Sequence, residues 1–299
     1  FLHGWRYFGY TSDDAYISYR YARNLADGVG LVWNPGEHVE GYSNFLWTAL
    51  LAALDKLGAE PVRTGRWLGF ALGVTAIGGT YALARTLLAG AAGRVAGLIA
   101  TLLLAASGPF ALWAFAGLET SLFATLVLGA VLLHIREDDG NVPPLSGAVW
   151  ALACMTRPDA PLLFGVSALY KMTRCVWRLR NSASGTPWAT TLDDEMQHLV
   201  VWVAGFAVLY GPYFAWRYLT YDHLFPNAYY AKVGSGIDQY ERGLYHFSAF
   251  AREHAAWLLA LAPIAIATAS VRRAASAYVL ALLLVWFGYI VYIGGDSLV

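Results

Sequence analysis

Apolar residues run in long blocks along most of this 299-residue chain, and polar residues gather in short clusters between them. Sustained apolar runs fall at about 67–84, 95–116, 120–133, 199–216, 255–271 and 274–293. Several approach the roughly 20 residues a helix needs to cross bilayer hydrocarbon, and the shorter ones can be accommodated by tilt. Residues 44–57, NFLWTALLAALDKL, are too short to span and predict a helix lying in the interface. Residues 142–171 hold two half-length apolar runs around MTRPDAP, which predicts a helical hairpin or broken helix pair with a polar tip. The expected fold is all-α, a polytopic transmembrane helical bundle with juxtamembrane interfacial helices. It forms one unit over residues 1–299, with 1–65 as a first extracytoplasmic loop and 66–293 as transmembrane helices.

Composition agrees with the pattern. The chain is 58% hydrophobic and 13% charged, against roughly 45–50% and about 25% in soluble domains. Twenty basic residues balance twenty acidic ones, so no basic field is available for nucleic acid, and none is expected as a partner. The 12 Trp and 19 Tyr suit interfacial belts. Cys154 and Cys175 make no disulfide framework and read as packing residues. The seven histidines lack metal-ligand spacing, which argues against zinc. The chain opens on Phe1 and stops soon after GGDS, and it reads as a fragment lacking an N-terminal anchoring helix.

Basic residues then orient the spans. Arg85 and Arg94, Arg136, Lys171 to Arg180, and Arg272 with Arg273 mark four loops that the positive-inside rule sets in the cytoplasm. The opposite face receives residues 1–65, GLET (117–120), RPDA (157–160), YDHLFPNAYYAKVG (221–234) and GGDS (294–297). Most acidic clusters thus collect outside. The exceptions are residues 137–139, expected as a solvated loop, and the polar run 181–198, expected as a flexible cytoplasmic linker.

The outer clusters carry the candidate chemistry. TSDD before AYISYRYARNLA is a good helix start, so Asp13 and Asp14 read either as a solvated cap or as functional carboxylates at the bilayer edge. Glu119 sits between two long apolar spans, where a helix-dipole role competes with a functional one. Arg157 and Asp159 read either as a structural salt bridge or as part of a site. Pro226 and Asn227 signal a turn beside Tyr229, Tyr230 and Lys232, the lysine also fitting a snorkelling role. Gly294 and Gly295 would let the backbone and Asp296 approach a ligand closely.

The stretch DDAYISYRYARNLADGVGLVWNPGEHVEGYSNFLW, with GLET, RPDA, FPNAYYAK and GGDS following in order, resembles the integral-membrane glycosyltransferases of the GT-C superfamily. Within it, the closest resemblance is to the arabinofuranosyltransferase B family, whose C-terminal part has no counterpart here. The resemblance implies a polyprenyl-phosphate sugar donor, most readily arabinofuranose, used on the outer face of the plasma membrane, with a cell-envelope glycan or lipid-linked acceptor. It implies catalytic acidic residues at Asp13 or Asp14 and at Glu119. Arg20, Glu40, Arg157, Asp159, Asn227, Tyr230, Lys232 and Asp296 are the expected substrate-binding residues. The resemblance fixes no cofactor, and assistance from a divalent cation stays open.

The chemistry fits such a donor. A polyprenyl phosphate already leaves well, so the reaction needs a carboxylate for the acceptor's proton and cations for the phosphate. One base and one displacement would invert the anomeric carbon. Arg20, Arg157 and Lys232 are the expected phosphate partners, and Tyr16, Trp33 and Tyr42 the aromatic rim for sugar stacking. The rival readings are a secondary transporter and a noncatalytic membrane scaffold. Neither requires the outer carboxylates to meet.

Overall fold

The computed structural model describes residues 2–181, 188–232, 236–253, 256–268 and 271–295. Among them the chain is helical, with a single isolated bridge between Leu88 and Val271. A short α1 (Leu2–Trp5) precedes α2 (Asp13–Ala26), an irregular loop and α3 (Phe45–Lys56). The long α4 (Pro61–Leu87) follows, then α5 (Gly90–Ala106), α6 (Gly108–Phe115) and α7 (Thr120–Asp138). Next come α8 (Ser146–Thr156), α9 (Ala160–Arg180) and α10 (Trp188–Tyr221). The C-terminal part holds α11 (Asn227–Lys232), α12 (Ile237–Glu253), a 3-10 turn (Ala256–Leu261), α13 (Ala262–Thr268) and α14 (Arg273–Ile293).

Four helices, α4, α7, α10 from Leu192, and α14, are long and apolar enough to cross a membrane. The bent pair α5 and α6 makes a fifth if it counts as one span. Their apolar surface is largely unburied by protein: only 6% of the α10 window lies inside the fold, and Val208 is 70% exposed. A helix apolar all round yet uncovered by its own chain needs lipid around it.

Two expected spans and the expected linker change form. The run 95–116 bends by 62° at Ser107, where Ser107 caps α6 and Pro109 cannot extend the helix before it. The run 255–271 is no continuous span: a 3-10 turn gives way to α13, and Pro263 sits at the start of the new helix. Residues 188–198 of the expected linker are helical and continue into α10, while 182–187 lie outside the described residues. The break at RPDA appears as expected. Arg157 is extended (φ −143°, ψ 135°) because the proline after it disfavours the helical region.

Small residues set how closely α4 packs. Gly65, Gly69 and Gly73 recur every fourth residue on its buried face, a spacing that lets helix backbones meet in membranes. A Cβ on Gly69 would stand 2.6 Å from the Ala114 carbonyl oxygen, whereas one on Gly78 meets nothing within 4 Å. Gly69→Ala is therefore expected to cost about 1–3 kcal/mol through overpacking. Gly78→Ala should be neutral or mildly stabilising, because alanine is the better helix former. Thermal unfolding in detergent measures both, and equal melting temperatures would refute the close contact.

The basic loops meet at one end of the bundle. Arg174 and Arg178 pair with Asp138, Arg178 also with Glu195 at 2.9 Å, and Arg272 with Asp139. The Arg272 amide donates to the Leu87 carbonyl, drawing the loop after α4 to the same place. Beneath them Glu137, expected as solvated, is buried: it accepts from the Ser146 amide and hydroxyl at 2.5 and 2.7 Å and pairs with Lys171 at 3.1 Å. Folding of α8 back against α7 closes that shell, a tertiary contact invisible in local polarity.

Candidate functional site

At the opposite end, Glu119 lies between α6 and α7 and is only 8% exposed. It occupies the N-cap position of α7, yet its carboxylate makes no capping bond there. It turns instead to other elements. Asn44 Nδ2 donates to Glu119 Oε2 at 2.7 Å, and Arg157 donates to Oε1 at 3.3 Å. Both oxygens are thus engaged by side chains of other elements rather than by the first amides of α7.

Asn44 links this carboxylate to α2. It caps α3 in position but its side chain also faces inward, where Nδ2 donates to Ser18 Oγ at 3.0 Å. Its Oδ1 accepts from Thr48 Oγ1 and from Ser18 Oγ, each at 3.0 Å. All four residues of the relay (Ser18, Asn44, Thr48, Glu119) are buried. Burying them without these bonds would cost several kcal/mol, so the network fixes α2, α3 and α7 in one arrangement.

The RPDA break supplies the other side. Arg157 donates from Nε to Asp159 Oδ1 at 3.1 Å and from NH2 to Oδ2 at 3.0 Å, a bidentate pair. Burial disfavours the charge on Arg157, but Asp159 and then Glu119 outweigh it and raise its pKa above the ordinary value. Two carboxylates around one guanidinium leave a surplus negative charge. Tyr289, near the C-terminal end of α14, lies within electrostatic reach of Arg157 and Asp159. Among the described residues, no three His, Cys, Asp or Glu side chains gather to hold a metal ion.

Gly117 lets the relay close. Its φ of +84° suits glycine, and its carbonyl accepts from Tyr19 Oη at 3.4 Å and Trp47 Nε1 at 3.0 Å. A Cβ there would collide with the Tyr19 hydroxyl.

Asp13 and Asp14 begin α2, two residues earlier than the start near Ala15 that the sequence suggests, and Ser12 takes the cap position. Both are exposed, and neither pairs with a cation among the described residues. Their directions differ. Asp13 Oδ1 accepts from the Asp14 amide at 3.0 Å, satisfying a first-turn N–H. Asp14 stands four residues before Ser18, hence one turn away on the same helix face, about 5–6 Å between Cβ atoms. That face leads through Ser18 and Asn44 to Glu119.

Glu40 belongs to a second buried pair. Arg217 of α10 grips it with Nε to Oε1 and NH2 to Oε2, both at 2.7 Å, while both side chains stay within 4% exposure. Burial pushes the Glu40 carboxyl up from its ordinary value, and Arg217 opposes that shift. The third Arg217 nitrogen donates to the His223 and Leu224 carbonyls at 3.2 and 2.9 Å. One arginine therefore ties both the first loop and the FPNAYYAK loop to α10. Glu40 is committed to this clip and has no oxygen left unpaired for substrate.

The remaining expected residues scatter. Arg20 is exposed, donating from Nε to the Trp33 carbonyl at 3.3 Å. Tyr16 and Trp33 are 52% and 42% exposed and can offer a ring face. Tyr42 cannot: it is buried and shares a hydrogen bond of 3.3 Å with Tyr221. Asn227 is half-buried at the start of α11, and Tyr230 is exposed against His223 and Phe225. The Lys232 side chain and Asp296 lie outside the described residues. Arg157, expected as a phosphate partner, is already held by two carboxylates.

Sequence reasoning missed Asn44, Arg217 and Arg66. Arg66 of α4 donates to Thr11 Oγ1 at 3.0 and 2.6 Å and has no carboxylate partner among the described residues. It holds a half-buried positive charge beside the start of α2. A cleft among Lys171, Arg178 and Glu195 and a groove between α9 and α14 lie toward the basic end, away from this site.

Comparison of the chain with protein-family models, curated proteins and solved structures finds no match. At the end of the bundle away from the basic loops, Ser18 of α2, Asn44, Glu119 of GLET and Arg157 and Asp159 of RPDA join in one carboxylate–guanidinium relay, and the exposed Asp14 stands one helical turn before Ser18.

Proposed function

We propose that the chain is a GT-C-type membrane glycosyltransferase, moving a sugar, arabinofuranose by resemblance, from a polyprenyl phosphate to a cell-envelope glycan or lipid-linked acceptor on the outer face. The observation that carries this reading is the meeting of Glu119, Arg157 and Asp159 through Asn44 with the helix that bears Asp14. A scaffold has no use for an unpaired carboxylate facing such a relay. A transporter would be expected to place its ionisable groups near the bilayer midplane rather than at one end.

Asp14 is the general base in this mechanism. Its carboxylate takes the proton of the acceptor hydroxyl as that oxygen bonds to the anomeric carbon. The bond from that carbon to the phosphate oxygen breaks, and the polyprenyl phosphate leaves with the electron pair. Arg20 and Arg66, neither held by a carboxylate among the described residues, steady the phosphate, a task suited to the guanidinium fork. The surplus negative charge of the Glu119–Arg157–Asp159 group favours the positive charge that develops on the sugar ring. Glu119, with both oxygens engaged, is a positioning residue rather than the proton carrier. The basic end faces the cytoplasm.

A single displacement inverts the anomeric carbon. Supplied with a polyprenyl-phosphate sugar of known anomer, the full-length protein in bilayers should give a product of opposite configuration by NMR. A retained configuration would remove the one-base mechanism.

A further inference from the structure

A groove of about 440 Å3 opens between α9 and α14 on the basic half of the bundle. Its size falls in the range of ligand pockets, roughly 300–1,000 Å3. One wall carries Leu169 and Trp177, which are 64% and 55% exposed. Ala274, Ala277 and Ala281 form the other, and their small side chains create the depression. The floor is two stacked rings, Tyr170 and Tyr278, with centroids 4.6 Å apart. Their hydroxyls are already bonded, to Asp138 at 3.2 Å and to Ser167 at 2.6 Å, so the floor presents ring carbon.

Charge marks the mouth. Arg174 and Arg272 are neutralised by Asp138 and Asp139. Arg180 and Arg273 have no carboxylate partner among the described residues, and Arg273 donates only to the Ala267 carbonyl. Arg180 follows Thr173 and Trp177 on the same helical stripe of α9. Arg273 stands one turn before Ala277 on α14. Two cations without a carboxylate partner among the described residues therefore continue the helices that wall the apolar slot, one turn after Trp177 on α9 and next to Ala274 on α14, at the end that the positive-inside rule sets in the cytoplasm.

We infer that this groove holds an acyl chain of an anionic glycerophospholipid of the cytoplasmic leaflet, with its phosphate between Arg180 and Arg273. Apolar lining alone would accept any lipid tail. The paired cations at the mouth select an anionic head group, as basic pockets between membrane helices do. The inference is independent of the glycosyltransferase reading and uses none of the residues at the other end.

The test is native mass spectrometry of the full-length protein taken from bilayers of equal phosphatidylglycerol and phosphatidylcholine. The protein should retain phosphatidylglycerol in roughly tenfold or greater excess, as expected from two cations near the head group. Arg180→Gln with Arg273→Gln should abolish that preference while leaving the melting temperature unchanged, because both side chains are exposed. Ala277→Leu with Ala281→Leu should fill the slot and reduce retention of both lipids. If the leucine variant fails to fold, the glutamine variant still decides. Equal retention of the two lipids by the unaltered protein, or an unchanged preference in the glutamine variant, overturns the site.

Discussion

Asp14→Asn is expected to slow sugar transfer by roughly 10²–10⁴-fold while leaving the fold intact. The amide keeps the size of the carboxylate but cannot take the acceptor's proton. Asp14 is exposed and unpaired among the described residues, so its replacement breaks no buried contact. Asp13→Asn is the matched control. Its Oδ1 accepts from the Asp14 amide, a bond that an asparagine oxygen reproduces. Adjacent residues on a helix point about 100° apart, so the two aspartates cannot both face the Ser18 side. Assayed per folded molecule in membranes, Asp13→Asn should keep most activity. Loss confined to Asp13→Asn would reverse the assignment, and full activity in the double variant would exclude either as the base.

Removing Arg217 should produce the largest loss of stability. Arg217→Ala leaves Glu40 as a buried charge without a partner and frees two carbonyls of the following loop. Breaking one side of a buried ion pair costs about 3–5 kcal/mol. Replacing both partners, with Arg217→Met and Glu40→Leu, should recover much of that, since apolar residues of similar volume substitute well for buried pairs. The double variant should melt near the parent yet transfer sugar poorly, because the loops at 40 and 223–224 are no longer fixed to α10. Thermal unfolding in detergent together with activity per folded molecule separates the two effects. An Arg217→Ala protein that melts like the parent would remove the clip from the account.

Long-period features were legible in the sequence. Long apolar runs mark α4, α7 and α14 because lipid imposes length and polarity directly. The proline of RPDA announces the break between α8 and α9 through a local steric rule. Glu119, Arg157 and Asp159 stood out as costly groups at the ends of apolar helices, and they meet. Asn44 did not stand out, since an asparagine before an apolar run looks like a cap and its bond to Glu119 spans 75 residues. Arg217 did leave a signal, a lone arginine near the end of an apolar helix 30 residues long from Leu192, and such a residue demands a partner. The amphipathic α12 was hidden by its polar average, although Gly243 packs directly against the Val291 backbone of α14.

The proposed transfer of sugar from a polyprenyl phosphate at the carboxylate–guanidinium site is tested most directly in oriented proteoliposomes. Full-length protein would be reconstituted with labelled polyprenyl-phosphate sugars of several kinds, and an acceptor glycan supplied only on the face bearing residues 13–44. The account predicts transfer from at least one donor, with arabinofuranose preferred, absent when the acceptor is confined to the basic face and absent in Asp14→Asn. No transfer from any donor, or equal transfer in Asp14→Asn, would contradict it.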